Sequence, residues 1–581
     1  MPGFKIENFK GKVSKVTPRL LAEGFAVEAT NCEVSSGDIE PIRKPLFEHI
    51  FTMSLLTGVS GANAISSIFL YAPTTNSTGS PTAVTDNLGY WFNVWGADVD
   101  FISDFTKNDP LHIIYTDSSE SDALDTYPKY TNLERAISTV DVAPANHYPL
   151  GIPAPSIAPA ISDLVVGTGE EVDKTTVYYV YTFVDSEGRE SAPSPVSTKH
   201  EILPGGEVAF SLFSDFLQEE DYIDNIDITG YRIYASTTGS SGSVFLRCHG
   251  EDGLFTELNG GVVTVSDDLT YRGDILETQT WLFPHKDMIG ITPMPNGIMA
   301  GFIKDTKQLV FSEPYVSYAY PAEYDQILDS KIVGLGMIGD SLFVGTTGMP
   351  YLIAGAHPSA FSVSRLDFEQ ACLSKRSIVN IMDGLLYACP DGLMFVSPSG
   401  SKLATEDIIS RDQWQLYNPK TIHAYQHENK YFGFYYNDAE DSFRGFIFNI
   451  QDSHFIDLSF GAIGGYRNIY DDTLYLVDEN NEIMKWAGDS TKEEYTWKSK
   501  VYRTPYPVNF GAAQIIAEGY PIKFSLIVDD VEKITEREID SSRGFRLPAG
   551  FTGRDWQVSV VGSHTISAIR VSDTLSELGA L

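Results

Sequence analysis

The chain has 581 residues, 43% hydrophobic and 20% charged, which allows a large core without disulfides. Its 78 acidic and 41 basic residues give a formal net charge of −37 and exclude ordinary binding to a phosphate backbone, which needs a basic footprint. No apolar run approaches the roughly 18 residues of a membrane span, and Met1-Pro2-Gly3-Phe4-Lys5 lacks the apolar stretch of a secretory signal, so neither is expected.

Residues 1–155 read as an extended N-terminal arm followed by the first part of a β body. Two strong strands stand out, Tyr90-Trp91-Phe92-Asn93-Val94-Trp95 and Leu111-His112-Ile113-Ile114-Tyr115. Together they predict one propeller blade. A Pro-rich passage from Pro144 to Pro159 reads as a linker, since proline cannot pair centrally in a sheet. Helical period is nearly absent; the two candidates, Ser214–Asp224 and Leu133–Ile137, are short.

Residues 156–285 change pattern. Val177 to Val184 forms a long β-rich strand, Asp185-Ser186-Glu187-Gly188 a turn, and Ser191-Ala192-Pro193-Ser194-Pro195 closes the hairpin. Short strands between Gly, Ser and Pro turns predict an inserted immunoglobulin/fibronectin-like β-sandwich. Residues 286–497 hold a unit that returns roughly every 44 residues, a polar turn followed by an apolar strand. The turns are Pro295-Asn296-Gly297, Gly339-Asp340, Asp383-Gly384, Glu428-Asn429 and Asp471-Asp472. A strand-only repeat of that length predicts propeller blades, which cannot bury their faces unless stacked. Five units plus the early strand pair predict six blades. Residues 498–581 predict a smaller C-terminal β domain around Ile522–Val528 and Gln557–Val561. The expected fold is therefore all-β: a propeller, an inserted sandwich and a C-terminal β domain.

Little in the chain carries chemistry. Gly334-Leu335-Gly336-Met337-Ile338-Gly339 fits G-x-G-x-x-G, but turn and strand follow where a nucleotide fingerprint needs a helix, so a tight turn is expected. His427-Glu428 lacks a second His at metalloprotease spacing, and neither G-x-S-x-G nor the S-x-D-x-G-x-x-W turn of sialidase-like propellers occurs in the repeat. Asn76-Ser77-Thr78 matches a glycosylation sequon by chance. Cys32, Cys248, Cys372 and Cys389 form no C-x-x-C pair and read as free buried thiols made in a reducing cytosol. Carboxylates cluster at Glu219-Glu220-Asp221, Asp438-Glu440-Asp441 and Asp478-Glu479-Glu482. Such clusters can hydrolyse glycosides or hold Ca²⁺, but a chain this acidic forms them on solvated loops by chance. No catalytic, cofactor-binding or metal-ligating residue is expected.

The arm has a more specific pattern. It runs Phe9-Lys10-Gly11-Lys12, Thr17-Pro18-Arg19-Leu20-Leu21-Ala22, then Ala26, Ala29, Asn31, Gly37, Ile39, Pro41 and Arg43. Near the other end stand Arg503-Thr504-Pro505, Asn509-Phe510-Gly511-Ala512-Ala513-Gln514, Phe545-Arg546-Leu547-Pro548 and Ser576-Glu577-Leu578. With the Tyr181–Ser194 segment of the insertion, this order resembles the tail-nozzle (tail tubular) proteins of short-tailed bacteriophages. The resemblance implies a virion structural protein, not an enzyme, made in the host cytoplasm and placed in the tail. It implies a homo-hexameric ring below a tail adaptor protein, bearing fibres or spikes, with double-stranded DNA passing through without specific binding. Six copies at −37 each bring about −222 formal charges to one ring. An acidic wall repels DNA within a Debye length of about 10 Å, so a conduit gains from acidic loops in its lumen. Two other readings compete. A carbohydrate-binding or glycan-cleaving propeller calls for carboxylates and aromatics converging in the central channel; a head-completion or plug protein differs only in its position in the particle.

Overall fold

A computed structural model describes residues 3–50, 67–71, 90–94, 99–107, 111–116, 127–136, 144, 146–165, 167–168, 170–171, 174–203, 205–212, 228–239, 242–248, 263–267 and 272–579. Ser214–Asp224, with Glu219-Glu220-Asp221, and Asn76–Thr78 and Trp95 lie outside them. Among the described residues strands dominate, and the two α-helices, Leu133–Ala136 and Arg411–Gln415, are each about one turn long.

Antiparallel sheets form a propeller. Blade 1 pairs Ser67–Tyr71 with Tyr90–Val94. Blade 2 holds Phe101–Ser103, Ile113–Tyr115, Lys129–Thr131 and Tyr148–Pro149. Blade 3 spans Met288–Ile327, blade 4 Ile332–Arg365, blade 5 Val379–Leu403 and blade 6 His423–Leu458, each with four strands. Blade 7 contains Gly464–Asn468, Thr473–Val477 and Glu482–Lys485, with Leu46–Ile50 of the arm as its outer strand. Neighbouring blades share apolar clusters all the way round: blades 1 and 2 through Tyr71, Phe92 and Ile113, blades 2 and 3 through Ile114 and Met288, and blades 7 and 1 through Ile68 and Tyr475. Among the described residues the ring thus has seven sheets rather than the six expected. The early strands Tyr90–Val94 and Ile113–Tyr115 belong to two different blades, each completed by partners of weaker sequence pattern.

Burial follows position within a blade. In blade 5 the middle strands Gly384–Cys389 and Gly392–Ser397 are buried at every residue, because blades 4 and 6 cover both faces. The outer strand Ser362–Arg365 of blade 4 is exposed throughout. Each buried Leu or Phe contributes about 1.5–3 kcal/mol. The polar turns entering each second strand carry left-handed residues at Asn296, Gly339, Asn429 and Asp472, as tight hairpins require. In blade 5 the left-handed residue is Met382, one position before the Asp383-Gly384 pair read as the turn.

Among the described residues the insertion is a sandwich of seven strands. Ala160–Val165, Glu207–Leu212 and Val263–Asp267 form one sheet; His200–Ile202, Thr175–Asp185, Ile228–Gly239 and Gly242–Arg247 form the other. The Ser191–Ser197 segment does not return as a regular hairpin strand. Instead Ser191, Ser194 and Ser197 each donate a backbone N–H to Phe183, Tyr181 and Tyr179, and each hydroxyl accepts the N–H of the same partner. Pro193 and Pro195 have no N–H to offer, and the serine hydroxyls satisfy the buried strand in their place. The turn before this segment docks the sandwich on the propeller. Arg189 bridges Asp185 (2.6 Å) and the Leu150 carbonyl (2.7 Å), while Glu187 accepts from Tyr130 (2.7 Å) and Lys107 (3.0 Å).

The chain ends build a second sandwich. Gly3–Ile6 pairs with Ile566–Ser572 in one sheet. In the other, Ala26–Thr30 lies between His454–Leu458 of blade 6 and Tyr495–Ser499, continuing into Gly553–Gly562, Ile522–Val528 and Val531–Ile539. One apolar cluster, including Phe9, Ile39, Trp497, Phe524 and Trp556, joins this sandwich to blades 6 and 7.

Candidate functional site

The propeller's central opening gathers charged and polar side chains from several blades. At the end where inter-blade connections emerge, it forms a cavity of about 260 Å³ lined by Asp100, Thr292, Lys375, Arg376 and Tyr425. Asp100 precedes blade 2, and Lys375 and Arg376 sit on the short 3₁₀ turn that enters blade 5. Lys375 Nζ donates to Asp100 Oδ2 at 2.7 Å, and the Gly290 N–H donates to the same oxygen at 2.7 Å. Gly290 has φ +69 at a bulge in the innermost strand of blade 3, and a Cβ there would lie 2.2 Å from Phe302. Only glycine gives this N–H its aim. Arg376 donates to the Ser67 hydroxyl and, at 2.8 Å, to the Val99 carbonyl. These bonds tie blades 1, 2, 3 and 5 together around the axis.

Asp100 is the only carboxylate among the described residues lining this cavity, and it is ion-paired. Glycoside hydrolysis in its usual form needs two carboxyl groups, about 5–9.5 Å apart. The convergence called for by a glycan-cleaving centre is therefore not assembled there by the described residues.

The sequence clusters fall elsewhere. Asp438-Glu440-Asp441 and Asp478-Glu479-Glu482 occupy equivalent turns, after the second strands of adjacent blades 6 and 7, on the same face of the ring. Much of their bonding is local. Asp478 Oδ1 accepts the N–H groups of Asn480 (2.9 Å) and Glu482 (2.8 Å), and Glu440 pairs with Arg444 at 2.5 Å. Glu479 crosses between the blades to accept the Phe443 N–H at 2.6 Å. Among the described residues, no group of three or more His, Cys, Asp or Glu is placed to hold a metal ion. Acidic turns also occupy the opposite face, at Asp340, Asp383, Glu428, Asp471 and Asp472. His427 lies 3.8 Å from Asp472 in the blade 7 turn.

Gly334 and Gly336 lie within the innermost strand of blade 4, and only Gly339 is in the turn. A Cβ on Gly336 would meet Ile378 at 2.8 Å, so the glycine spacing lets blade 5 approach closely. All four cysteines are buried and unpaired, and burial raises each thiol, Cys389 to about 11 and Cys372 to about 12.

The terminal clamp gathers the most specific sequence. Phe9 packs edge-on against Trp497 with centroids 4.9 Å apart, and Trp497 Nε1 donates to the Lys10 carbonyl at 3.1 Å. Asn31, left-handed at φ 54, donates to Ser459 Oγ at 2.7 Å and accepts the Ser459 N–H at 2.9 Å. Lys12 Nζ donates to Asp457 Oδ2 at 2.6 Å, and the Tyr417 hydroxyl donates to Asp457 Oδ1 at 2.8 Å. Burial, then the Asp457 charge, holds the Tyr417 hydroxyl well above its usual pKa. Lys12 belongs to the arm motif, but Tyr417 and Asp457 are 405 and 445 residues away, and no local signal links them. Asp100, Lys375 and Arg376 were missed for the same reason.

No family model and no curated protein match the chain. Solved structures similar to it include virginiamycin B lyase from Staphylococcus aureus, at 11% identity and TM-score 0.25, covering 56% of this chain and 93% of that one. BamB from Moraxella catarrhalis matches at 11% identity and TM-score 0.22, covering 56% and 93%. AztD from Citrobacter koseri matches at 10% identity and TM-score 0.24, covering 67% and 99%. Scores this low carry no argument about activity. The seven sheets and their closure define this protein as a β-propeller with two appended β-sandwiches.

Proposed function

We propose that this chain is a structural, non-catalytic subunit of a short-tailed phage tail nozzle. Six copies form a conduit for double-stranded DNA and a scaffold for fibres or spikes. The observation that carries this reading is the terminal clamp. The two segments that resemble nozzle proteins stand near opposite ends of the sequence, yet both fold into one sandwich, with Phe9, Ala29, Ile39, Phe510 and Ala513 in its core or its sheets. The motifs of the two chain ends thus share one structural setting, a clamp that also gives blade 7 its outer strand, while the Tyr181–Ser194 segment lies in the inserted sandwich. The net charge of −37 supports the same reading, because a conduit must meet DNA without gripping it. Electron-microscope class averages of the protein mixed with tail adaptor complexes test this. A six-fold annulus on the adaptor, its lumen lined by carboxylates, is expected. Isolated single propellers, or a lumen with a continuous stripe of Lys and Arg, would contradict it.

A second reading, a glycan-directed propeller, draws on the fold itself, a ring of blades whose inter-blade connections offer polar clefts on one face. Asp100, paired and the only carboxylate among the described residues lining the central cavity, weighs toward binding over cleavage within that reading. Turnover of a panel of aryl-glycosides by the monomer would reverse that preference.

A further inference from the structure

A second cavity, of about 590 Å³, opens on the same face as the acidic turns of blades 6 and 7, beside the blade 5–blade 6 connection. This is within the roughly 300–1,000 Å³ typical of ligand clefts. Its floor is the Lys12–Asp457–Tyr417 triad. One wall is Tyr435, Asn437 and Asp438 at the end of the second strand of blade 6; the other follows the Arg411–Gln415 helix through Gln415, Leu416 and Asn418.

The charges and hydrogen bonds of the cleft narrow the ligand. Both oxygens of Asp457 are taken, one by Lys12 (2.6 Å) and one by Tyr417 (2.8 Å). Among the described residues Lys12 is the only cation lining the cavity, and it is held by Asp457, so a phosphate or carboxylate finds no free positive charge among them. A cation finds only Asp438, one of whose oxygens already accepts from Asn418 at 3.2 Å. An added peptide strand is not accommodated either, since the outer strand of blade 6 leads into Ala26–Thr30. What stays open is a small set of hydrogen-bonding groups, one amide, one phenol and one carboxylate oxygen. Asn437 Oδ1 accepts the Ala439 N–H (3.1 Å), which leaves its Nδ2, and Asp438 keeps Oδ1. The Tyr435 hydroxyl has no hydrogen-bond partner among the described residues. Leu416, 74% exposed, supplies an apolar surface at the mouth.

Planar amide and carboxylate groups beside an apolar surface suit a molecule with adjacent hydroxyls on one side and C–H groups on the other. We propose that this cleft binds a short, uncharged saccharide, with Asn437, Asp438 and Tyr435 taking its hydroxyls and Leu416 its C–H face. This gives the glycan-directed reading a definite place on the molecule. It uses the residues of one copy, so ring assembly and sugar binding can fail independently.

The test is saturation-transfer NMR and calorimetry of the full chain with maltotriose, cellotriose, mannotriose and tri-N-acetylchitotriose, with trigalacturonate and inorganic phosphate as charged controls. Saturable binding of at least one neutral trisaccharide is expected, weakened roughly tenfold or more in Asn437→Ala through loss of hydrogen bonds. Leu416→Arg, an exposed change that leaves the core untouched, is expected to block the mouth to a similar degree. Absence of saturable binding by all four neutral sugars would overturn the proposal. So would binding of the charged controls alone, or neutral binding unchanged in both variants. Oligomeric state, measured on the same samples, reports on the conduit separately.

Discussion

Ser194 shows how a single side chain stands in for a strand. Its hydroxyl accepts the buried Tyr181 N–H at 3.1 Å while its own N–H donates to the Tyr181 carbonyl at 2.8 Å. Ser194→Ala leaves that N–H unsatisfied and is expected to cost about 1–3 kcal/mol in urea unfolding. The cysteines give a second test. With every thiol buried and its pKa raised, iodoacetamide at pH 8 is expected to label none in the native protein and all four in denaturant. His454 gives a third. Burial holds its imidazole below the usual pKa, so the unfolded chain takes up the proton first. Stability is thus expected to fall as pH drops below about 6.5, the unfolded value, and to go on falling until the folded pKa is passed. His454→Gln is expected to flatten that part of the stability–pH curve.

At the scale of elements, the arm is the part on which most else depends. It adds a strand to each sheet of the terminal sandwich and the outer strand to blade 7. Phe9→Ala, which empties the space against Trp497, is expected to cost about 3–5 kcal/mol. Limited proteolysis should then release blade 7 fragments earlier than in the wild type. The sequence made the blade hairpins legible because their signals are local: Asn296, Asn429 and Asp472 sit in the turns where a left-handed residue is needed, next to the strands they start. It did not make the arm's partners legible, because Thr30 meets Asp457 and Leu46 meets Lys485 across hundreds of residues. The blade count failed for a related reason. Lys129–Thr131 and Tyr148–Pro149 are too short to read as strands alone, and become a blade only when the first pairs with Ile113–Tyr115 and the second with the first. The cleft over Lys12, Tyr417 and Asp457 was likewise invisible until the arm was laid across blade 6.

For the whole molecule, the propeller, the inserted sandwich and the terminal sandwich share interfaces through Arg189 and Glu187 on one side and the arm on the other. Carboxylate-bearing turns occupy both faces of the ring, so each face presents acidic groups. Native protein is accordingly expected to leave double-stranded DNA unretained in gel-shift assays at ordinary salt. The central claim is assembly into a conduit, and mass photometry of the purified chain, alone and with tail adaptor complexes, tests it most directly. A species near six times 64.1 kDa, or six copies added to the adaptor, is the result expected. A monomer under both conditions would contradict the conduit and leave a glycan-directed propeller as the better account.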